Sequence, residues 1–347
     1  MTLTTMRAIV QQGYGGVEVL SVAERPVPHV GPKQVLVQVH AVSPDSGTVH
    51  LMTGRPSILR PFVGWRTPRQ PIIGLAFAGI VRAVGAAVEG FAVGDRVAGS
   101  APAAFAEFVV ASPAKLAQVP TQVSMSDAAT LPISASTALQ ALRDAAKVES
   151  GHTVAIIGAG GGVGSFLTQL AVLDGARVTA IASAAKAAFV RTLGAERVID
   201  YRALTDPREW GVFDVVIDTA DGRPLSVLRR ALAERGTLVI VGADGAGGPV
   251  LDGLERQMGA MLLNPWVRHR LTSIVQAERA SDLQLLLDHL SAGRLRAPVA
   301  DIVPLDDAVV AIESLQRQLV AGKVVIELRT ETAGSSGRPG PVSRSAR

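Results

Sequence analysis

Residues 153–165 read Thr-Val-Ala-Ile-Ile-Gly-Ala-Gly-Gly-Gly-Val-Gly-Ser. Four apolar residues, Val154 to Ile157, run into a glycine cluster, and Phe166 to Val172 follow with a helical pattern. Strand, tight turn and helix is the context in which a G-x-G-x-x-G spacing binds a dinucleotide. Ala159, Gly161 and Gly164 occupy the three glycine positions, so the first departs from the pattern. The middle glycine lets backbone approach a pyrophosphate, and the last lets helix and strand pack closely. The helix N-terminus then offers free N–H groups and a positive dipole end to an anion. A glycine-rich turn without a ligand has the same local spacing, and the continuation of the chain favours the nucleotide reading. Arg177 to Ala182 is a second strand, Lys186 to Leu193 a second helix, and Val198-Ile199 a third short strand. This is half of a doubly wound fold.

The end of the second strand separates NAD from NADP. An acid there binds the ribose 2′-hydroxyl and repels a 2′-phosphate. Here the residues are Ala182-Ser183-Ala184-Ala185-Lys186. A hydroxyl and an ammonium three residues apart suit a phosphate; the alternative is a capping serine and a solvated lysine.

The elements that must carry this site are legible on both sides of it. Met6 to Val10, Gln34 to His40, Ala78 to Val81, Gly94 to Val97 and Ala106 to Val110 read as short strands separated by glycine and proline. The first ~120 residues therefore read as an all-β unit, a small barrel. Residues 43–71 are long for a connection, and such loops are usually functional or disordered. This one carries Asp45, His50, Trp65 and four arginines, and it reads as a lid or pocket wall. Ser126 is the expected cap of a helix to Leu131, and Ser136 to Ala146 a second helix. Beyond the third strand, Phe213 to Asp218 and Thr237 to Gly242 read as strands, with a helix from Leu225 to Leu232 between them. The glycine-rich residues 243–249 then fall at a strand's carboxyl end, where open α/β sheets bind ligands. Helices are expected over Leu283 to Leu290 and Asp306 to Val320, the latter capped by Asp306 or Asp307, and a last strand over Lys323 to Leu328. Residues 331–347 are of low complexity and read as a disordered tail.

Composition narrows the function classes. The 347 residues are 48% hydrophobic and 18% charged, enough for a sizeable core and two domains. No run of about 18 uncharged apolar residues exists, so no membrane span is expected. The first residues lack the apolar core of a secretory signal, which makes the cytoplasm the expected compartment. The net charge of +4 is small and aromatic residues are 4%, so nucleic acid is not an expected partner. The chain has no cysteine, which excludes disulfides, thiolate catalysis and thiolate-bound zinc.

The order of these parts resembles the medium-chain dehydrogenase/reductase superfamily, in its zinc-independent quinone oxidoreductase-like branch. The motifs are Tyr14-Gly15-Gly16 to Leu20, Val93-Gly94-Asp95-Arg96-Val97, Phe105-Ala106-Glu107-Phe108, Leu131-Pro132 to Ala138, Gly158 to Ser165, Leu193 to Tyr201, and Gly322-Lys323-Val324-Val325. They span residues 6–329. The resemblance implies an α/β fold: a Rossmann doubly wound parallel sheet plus a β-rich GroES-like barrel domain. Domains are expected at 1–125, completed by 268–330, and at 126–267. It implies NADPH in the cleft between them. Gly161, Gly162, Val163 and Gly164 then hold the pyrophosphate, and Ser183, Lys186 and Tyr201 the 2′-phosphate. Thr137 and the segment around Gly242 approach the nicotinamide side, and Lys323 joins the cofactor residues. Family habit adds a homodimer.

Zinc alcohol dehydrogenases of this superfamily carry Gly-His-Glu and cysteine ligands. Here the comparable place reads Gly74-Leu75-Ala76, and the six histidines have no metal-ligand spacing, so no zinc is expected. Without a Lewis acid, hydride transfer favours acceptors that are already electron-poor, namely quinones and α,β-unsaturated carbonyls. Their reduced forms are delocalised anions that hydrogen-bond donors stabilise. Candidate catalytic residues are Tyr14, Ser43, Asp45 and His50, joined by Arg60, Arg66 or Arg69 if the lid folds inward. Related proteins usually have an amide near Ser43, an acid in place of Ala76, and neutral residues at Asp221-Gly222. Two alternatives stay open at this point: a zinc-free alcohol or carbonyl oxidoreductase, and a non-redox catalyst or NADPH-binding regulator that retains the scaffold.

Overall fold

The structure is a computed structural model and describes residues 4–220, 222–242, 251 and 254–328. Strand β1 (Thr5–Gln11) pairs antiparallel with β2 (Leu20–Pro26). The period-two stretch at residues 34–40 becomes β3 (Val35–Val42), with Val35, Val37 and Val39 fully buried.

The long connection after β3 is folded. Helix α1 (Ser46–Thr53) is closed at its start by a reciprocal cap: Asp45 Oδ1 accepts the Thr48 N–H at 2.9 Å, and the Asp45 N–H reaches Thr48 Oγ1 at 3.4 Å. Gly54, in the left-handed region at φ 62°, ends it. The single turn α2 (Arg60–Val63) follows. Strands β4 (Ala76–Val84), β5 (Arg96–Ser100), β6 (Phe108–Ala111) and β7 (Leu116–Gln118) complete the front unit.

Helix α3 (Met125–Ala128) is capped by Ser124, whose Oγ accepts the Asp127 N–H at 3.0 Å. The expected cap, Ser126, instead lies inside the turn and donates to Glu327 Oε1 at 3.0 Å. Ser124 has an acid three residues on, the spacing a cap favours, and Ser126 does not. A helical run over residues 131–146, with α4 (Ser136–Gln140) at its centre, leads into the glycine-marked strand.

That strand is β8 (Thr153–Ile157). Its alternate residues enter two cores, Val154 and Ile156 on one face and Ala155 and Ile157 on the other. Both faces are covered because the sheet is parallel and crossed by helices. The units are α5 (Gly162–Leu173), β9 (Arg177–Ala182), α6 (Ala187–Thr192), β10 (Arg197–Asp200), β11 (Phe213–Asp218), α7 (Leu225–Leu228), β12 (Leu232–Val241), α8 (Leu254–Leu263) and β13 (Arg270–Ile274). The order across the sheet is β10-β9-β8-β11-β12-β13. The chain winds one way from β8 and then the other way from β11, so the switch point lies between those strands. α8 and β13 have no counterpart in the sequence expectations, and β13 carries the parallel sheet past the boundary expected at 267.

Helix α9 (Ala280–Ser291) precedes β14 (Val299–Pro304), α10 (Ala308–Gln316) and β15 (Lys323–Glu327). α10 is shorter than expected: Asp307 is its cap residue but makes no side-chain cap bond, and the chain turns at Gln318 with φ 55°. β15 pairs antiparallel with β3, so the end of the chain closes the front sheet in the order β14-β15-β3-β4-β5-β7, with β6 also on β3. The expected glycine loop at 243–249, Asp221 and the tail at 331–347 lie outside the described residues.

Candidate functional site

The glycine loop sits at the switch point. Gly158 has φ 79°, and a Cβ there would stand 2.4 Å from Thr219 Oγ1. That hydroxyl donates to Ile157 O at 2.8 Å and ties the ends of β8 and β11 together. Gly161 is the N-cap of α5 and supplies no side chain to its free N–H groups. A Cβ on Gly161 would meet only Gly158 O at 3.4 Å, so its face is open. A Cβ on Gly164 would lie 2.2 Å from Gly158 O and 2.7 Å from Ala159 Cα. Gly164 is therefore the close-packing glycine between loop and helix. An open, uncapped α5 start flanked by Gly162 and Val163 fits a pyrophosphate.

Lys323 reaches the same loop from β15. It is 1% exposed, its Nζ donates to Pro44 O at 2.5 Å, and a Cβ on Gly162 would stand 2.8 Å from its Cδ. Burial pushes the Lys323 ammonium down from 10.5 to about 8, against the pull of the Asp45 carboxylate. Asp45 is 6% exposed; Oδ1 caps α1, while Oδ2 is buried with no hydrogen-bond partner in the structure. A cation of lowered pKa thus lies between a carboxylate and the start of α5, where a bound anion would favour the ammonium form that burial disfavours.

Ser183, Lys186 and Tyr201 gather at the ends of β9 and β10. Asp200 pairs with Ala182, and the Tyr201 N–H reaches Ala182 O at 3.4 Å. Ser183 is half-buried and makes no side-chain cap bond. Lys186 turns elsewhere: its Nζ donates to Gln318 O at 2.9 Å and Val320 O at 2.5 Å, and its stem covers Gly160. Burial lowers its pKa. The Gly322 N–H donates to Gly160 O at 3.0 Å, so the segment before β15 is clamped to the glycine loop from both sides. Sequence reasoning passed over Arg202, an exposed guanidinium 5.5 Å from the centre of the Tyr201 ring. Its adjacency to Tyr201 was the available signal.

The remaining candidates divide between the parallel-sheet unit and the front unit. Thr137 is 9% exposed and its hydroxyl donates to Ile133 O at 2.7 Å. Gly242 ends β12 at φ 85°, and its carbonyl accepts from Gln257 at 3.2 Å. Ser43 is fully buried and its hydroxyl donates to Val324 O at 2.8 Å, which joins β3 to β15. Tyr14 OH donates to Gly64 O at 2.7 Å under the Arg60 guanidinium; burial raises its pKa, opposed by Arg60 and Arg69. His50 is half-buried in the last turn of α1. Arg60 donates to Gly54 O, and Arg69 to Phe62 O and Pro61 O, so both are held within their own segment, while Arg66 is exposed. A buried ion pair went unanticipated: Asp218, at the carboxyl end of β11, meets Arg256 of α8 at 2.5 Å. It depended on a helix the sequence pattern had not revealed.

Among the described residues no three His, Asp or Glu side chains are grouped to hold a metal, and the chain has no cysteine. Leu75 borders the Asp45–Gly47 turn, its Cδ1 3.6 Å from where a Gly47 Cβ would stand. The donor set does not fit a catalytic zinc, which takes about three protein ligands.

Residues 193–326 match the zinc-binding dehydrogenase family and residues 31–121 the alcohol dehydrogenase GroES-like domain. A chloroplastic quinone-oxidoreductase of Triphysaria versicolor is 30% identical over 337 residues, 93% of this chain and 98% of that protein. A chloroplastic quinone-oxidoreductase homolog of Spinacia oleracea is 29% identical over 94% of this chain and all of the relative. Among solved structures, the quinone oxidoreductase from Coxiella burnetii is 30% identical with a TM-score of 0.79, over 94% of this chain and 100% of that one. A mycobacterial protein complexed with NADPH is 28% identical with a TM-score of 0.79, over 93% of this chain and 100% of that one.

Proposed function

The chain belongs to the medium-chain dehydrogenase/reductase superfamily, in its quinone oxidoreductase-like branch, and from that premise we propose that it uses NADPH to reduce a quinone or an α,β-unsaturated carbonyl. The observation that carries the reading is the open glycine loop at the switch point beside a buried lysine, with no zinc donor set among the described residues. When bound, the nicotinamide supplies the hydride.

In this reading the start of α5, with Gly161, Gly162, Val163 and Gly164, holds the pyrophosphate, and Lys323 supplies a nearby positive charge. Ser183, Tyr201 and Arg202 receive the 2′-phosphate, and Lys186 joins them by releasing Gln318 and Val320. Thr137 and Gly242 border the nicotinamide side. As hydride arrives at an enone or quinone, charge develops on its oxygen, and a positioned donor stabilises it. His50 is the donor proposed, with Asp45 fixing the turn between it and Lys323, while the Tyr14 hydroxyl stays committed to Gly64 O. Ser43 acts through β3 and β15 by holding that turn in place. We further propose a homodimer, on family habit, with the cytoplasm as its compartment.

The test is an acceptor panel on the chelator-treated protein with NADPH. Oxidation by quinones or enones, and not by a saturated ketone, is the expected result. Turnover of the saturated ketone alone favours the carbonyl oxidoreductase reading.

A further inference from the structure

We propose that residues 54–70 form a rigid docking knuckle for the surface of an anionic lipid bilayer. Ile58, Phe62 and Trp65 are 49%, 76% and 71% exposed within one short segment. Arg55, Arg66 and Arg69 are exposed around them. The sequence holds no Asp or Glu from Ser46 to Val88. The acid on the adjoining turn, Glu18, accepts the Gly16 N–H at 2.7 Å.

Large exposed apolar side chains on a loose loop would be read as a lid that closes over the cleft. This segment is built otherwise. The Arg69 N–H donates to Val63 O and the Gly64 N–H to Arg60 O, both at 2.8 Å. The Arg69 guanidinium spans Phe62 O and Pro61 O at 3.2 Å each, and Arg60 holds Gly54 O at 3.0 Å. Tyr14 fixes Gly64 O from the neighbouring strand connection. A Cβ on Gly64 would stand 2.0 Å from Thr67 O, so the bend is as tight as backbone allows. These bonds tie the knuckle's backbone together, and its apolar side chains stay outside.

An aromatic pair ringed by guanidinium groups matches the chemistry of a headgroup region. Trp and Phe rest at the boundary between headgroups and acyl chains, while arginines bind anionic lipid. Neither signal alone anchors a protein well, and the two together do. No helix among the described residues is long and apolar enough to cross a membrane, so the contact is peripheral. The absence of a spanning run in the sequence leads to an expectation of no membrane partner, but surface docking needs no span.

The experiment uses the full chain carrying Trp266→Phe, because Trp266 is exposed and Trp210 is fully buried, which leaves Trp65 as the reporting fluorophore. It is mixed with vesicles of phosphatidylcholine plus phosphatidylglycerol, and with phosphatidylcholine alone. Co-sedimentation with the anionic vesicles, a blue shift of Trp65 emission and release by salt are expected. Arg55→Gln with Arg66→Gln should lower vesicle affinity by about fivefold per arginine. Trp65→Ala, read by co-sedimentation, should weaken binding further by removing one of the two aromatic anchors, with unchanged circular dichroism and unfolding temperature as the check on folding. Equal binding to phosphatidylcholine alone, no binding, or binding unchanged in both variants overturns the proposal. So does capture by heparin with no shift of Trp65, which points to an acidic macromolecule. A Trp65 shift produced by NADPH without vesicles also overturns it, in favour of a closing lid.

Discussion

Lys323 gives the sharpest quantitative expectation. Its pKa falls from 10.5 in the unfolded chain to about 8 in the folded one. Between those values the unfolded chain holds a proton that the folded chain has released, so this group makes stability rise with pH across that window. Below pH 8 the burial penalty on the ammonium is fully present. At about 1.4 kcal/mol per tenfold, the window is worth about 3 kcal/mol. Lys323→Met removes the titration and keeps an apolar stem in the same channel. Urea unfolding of both proteins from pH 7 to pH 10 isolates the group, because all other titrations cancel in the difference. The wild type should gain about 2–3 kcal/mol on the variant over that range. A constant gap would refute the reasoning that Lys323 is a desolvated cation. The same lysine makes cofactor binding proton-linked. A pyrophosphate beside Nζ favours the ammonium, so binding above pH 8 should take up a proton, and affinity should fall as pH rises through 8. Calorimetry in buffers of different ionisation enthalpy reads the uptake directly.

The other expectations are briefer. Asp45→Asn keeps the α1 cap, since an amide oxygen caps as well as a carboxylate, but removes the charge that supports Lys323. The pH midpoint of cofactor affinity should move down, and an unmoved midpoint would separate the two residues. Gly164→Ala sets a methyl against backbone on both sides and should lower unfolding free energy by about 1–3 kcal/mol and cofactor affinity at least about tenfold; near-wild-type titrations would contradict the close packing. Arg202→Ala should weaken NADPH about tenfold or more while leaving NADH unchanged, the size of a lost charged hydrogen bond. Lys186→Ala should weaken NADPH more than NADH and also loosen the segment over Gln318 to Gly322, seen as faster amide exchange there. Equal loss of both cofactors would restrict Lys186 to its clamp.

Strands β8 to β12 and the glycine loop were legible because they rest on local signals. Val154 to Ile157 is an unbroken apolar run, Gly164 sits where backbone must approach backbone, Gly158 holds a positive φ beside Thr219, and Gly161 leaves the loop's face open. β13 was not legible. Its stretch Arg270-Leu271-Thr272-Ser273-Ile274 buries only Leu271, so it lacks both the alternation and the apolar run of a strand. α8 follows the glycine-rich 243–249 and, among its described side chains, buries only Ala260, and with it the Asp218–Arg256 pair was hidden. The lysines show the same limit at the site. Sequence placed Lys186 and Lys323 among the cofactor residues by motif. Only the fold put Lys186 on the carbonyls of Gln318 and Val320, and buried Lys323 against Pro44 O near Asp45. Long-range partners of a side chain leave no trace in its neighbours along the chain.

The measurement that tests the central claim most directly is a nicotinamide fluorescence titration of the purified, metal-free protein with NADPH and NADH, followed by addition of quinones and enones. The account predicts saturable binding that is tighter for NADPH and loss of the fluorescence when one acceptor class is added. No binding of either nucleotide would reduce the glycine loop to a turn and contradict the account.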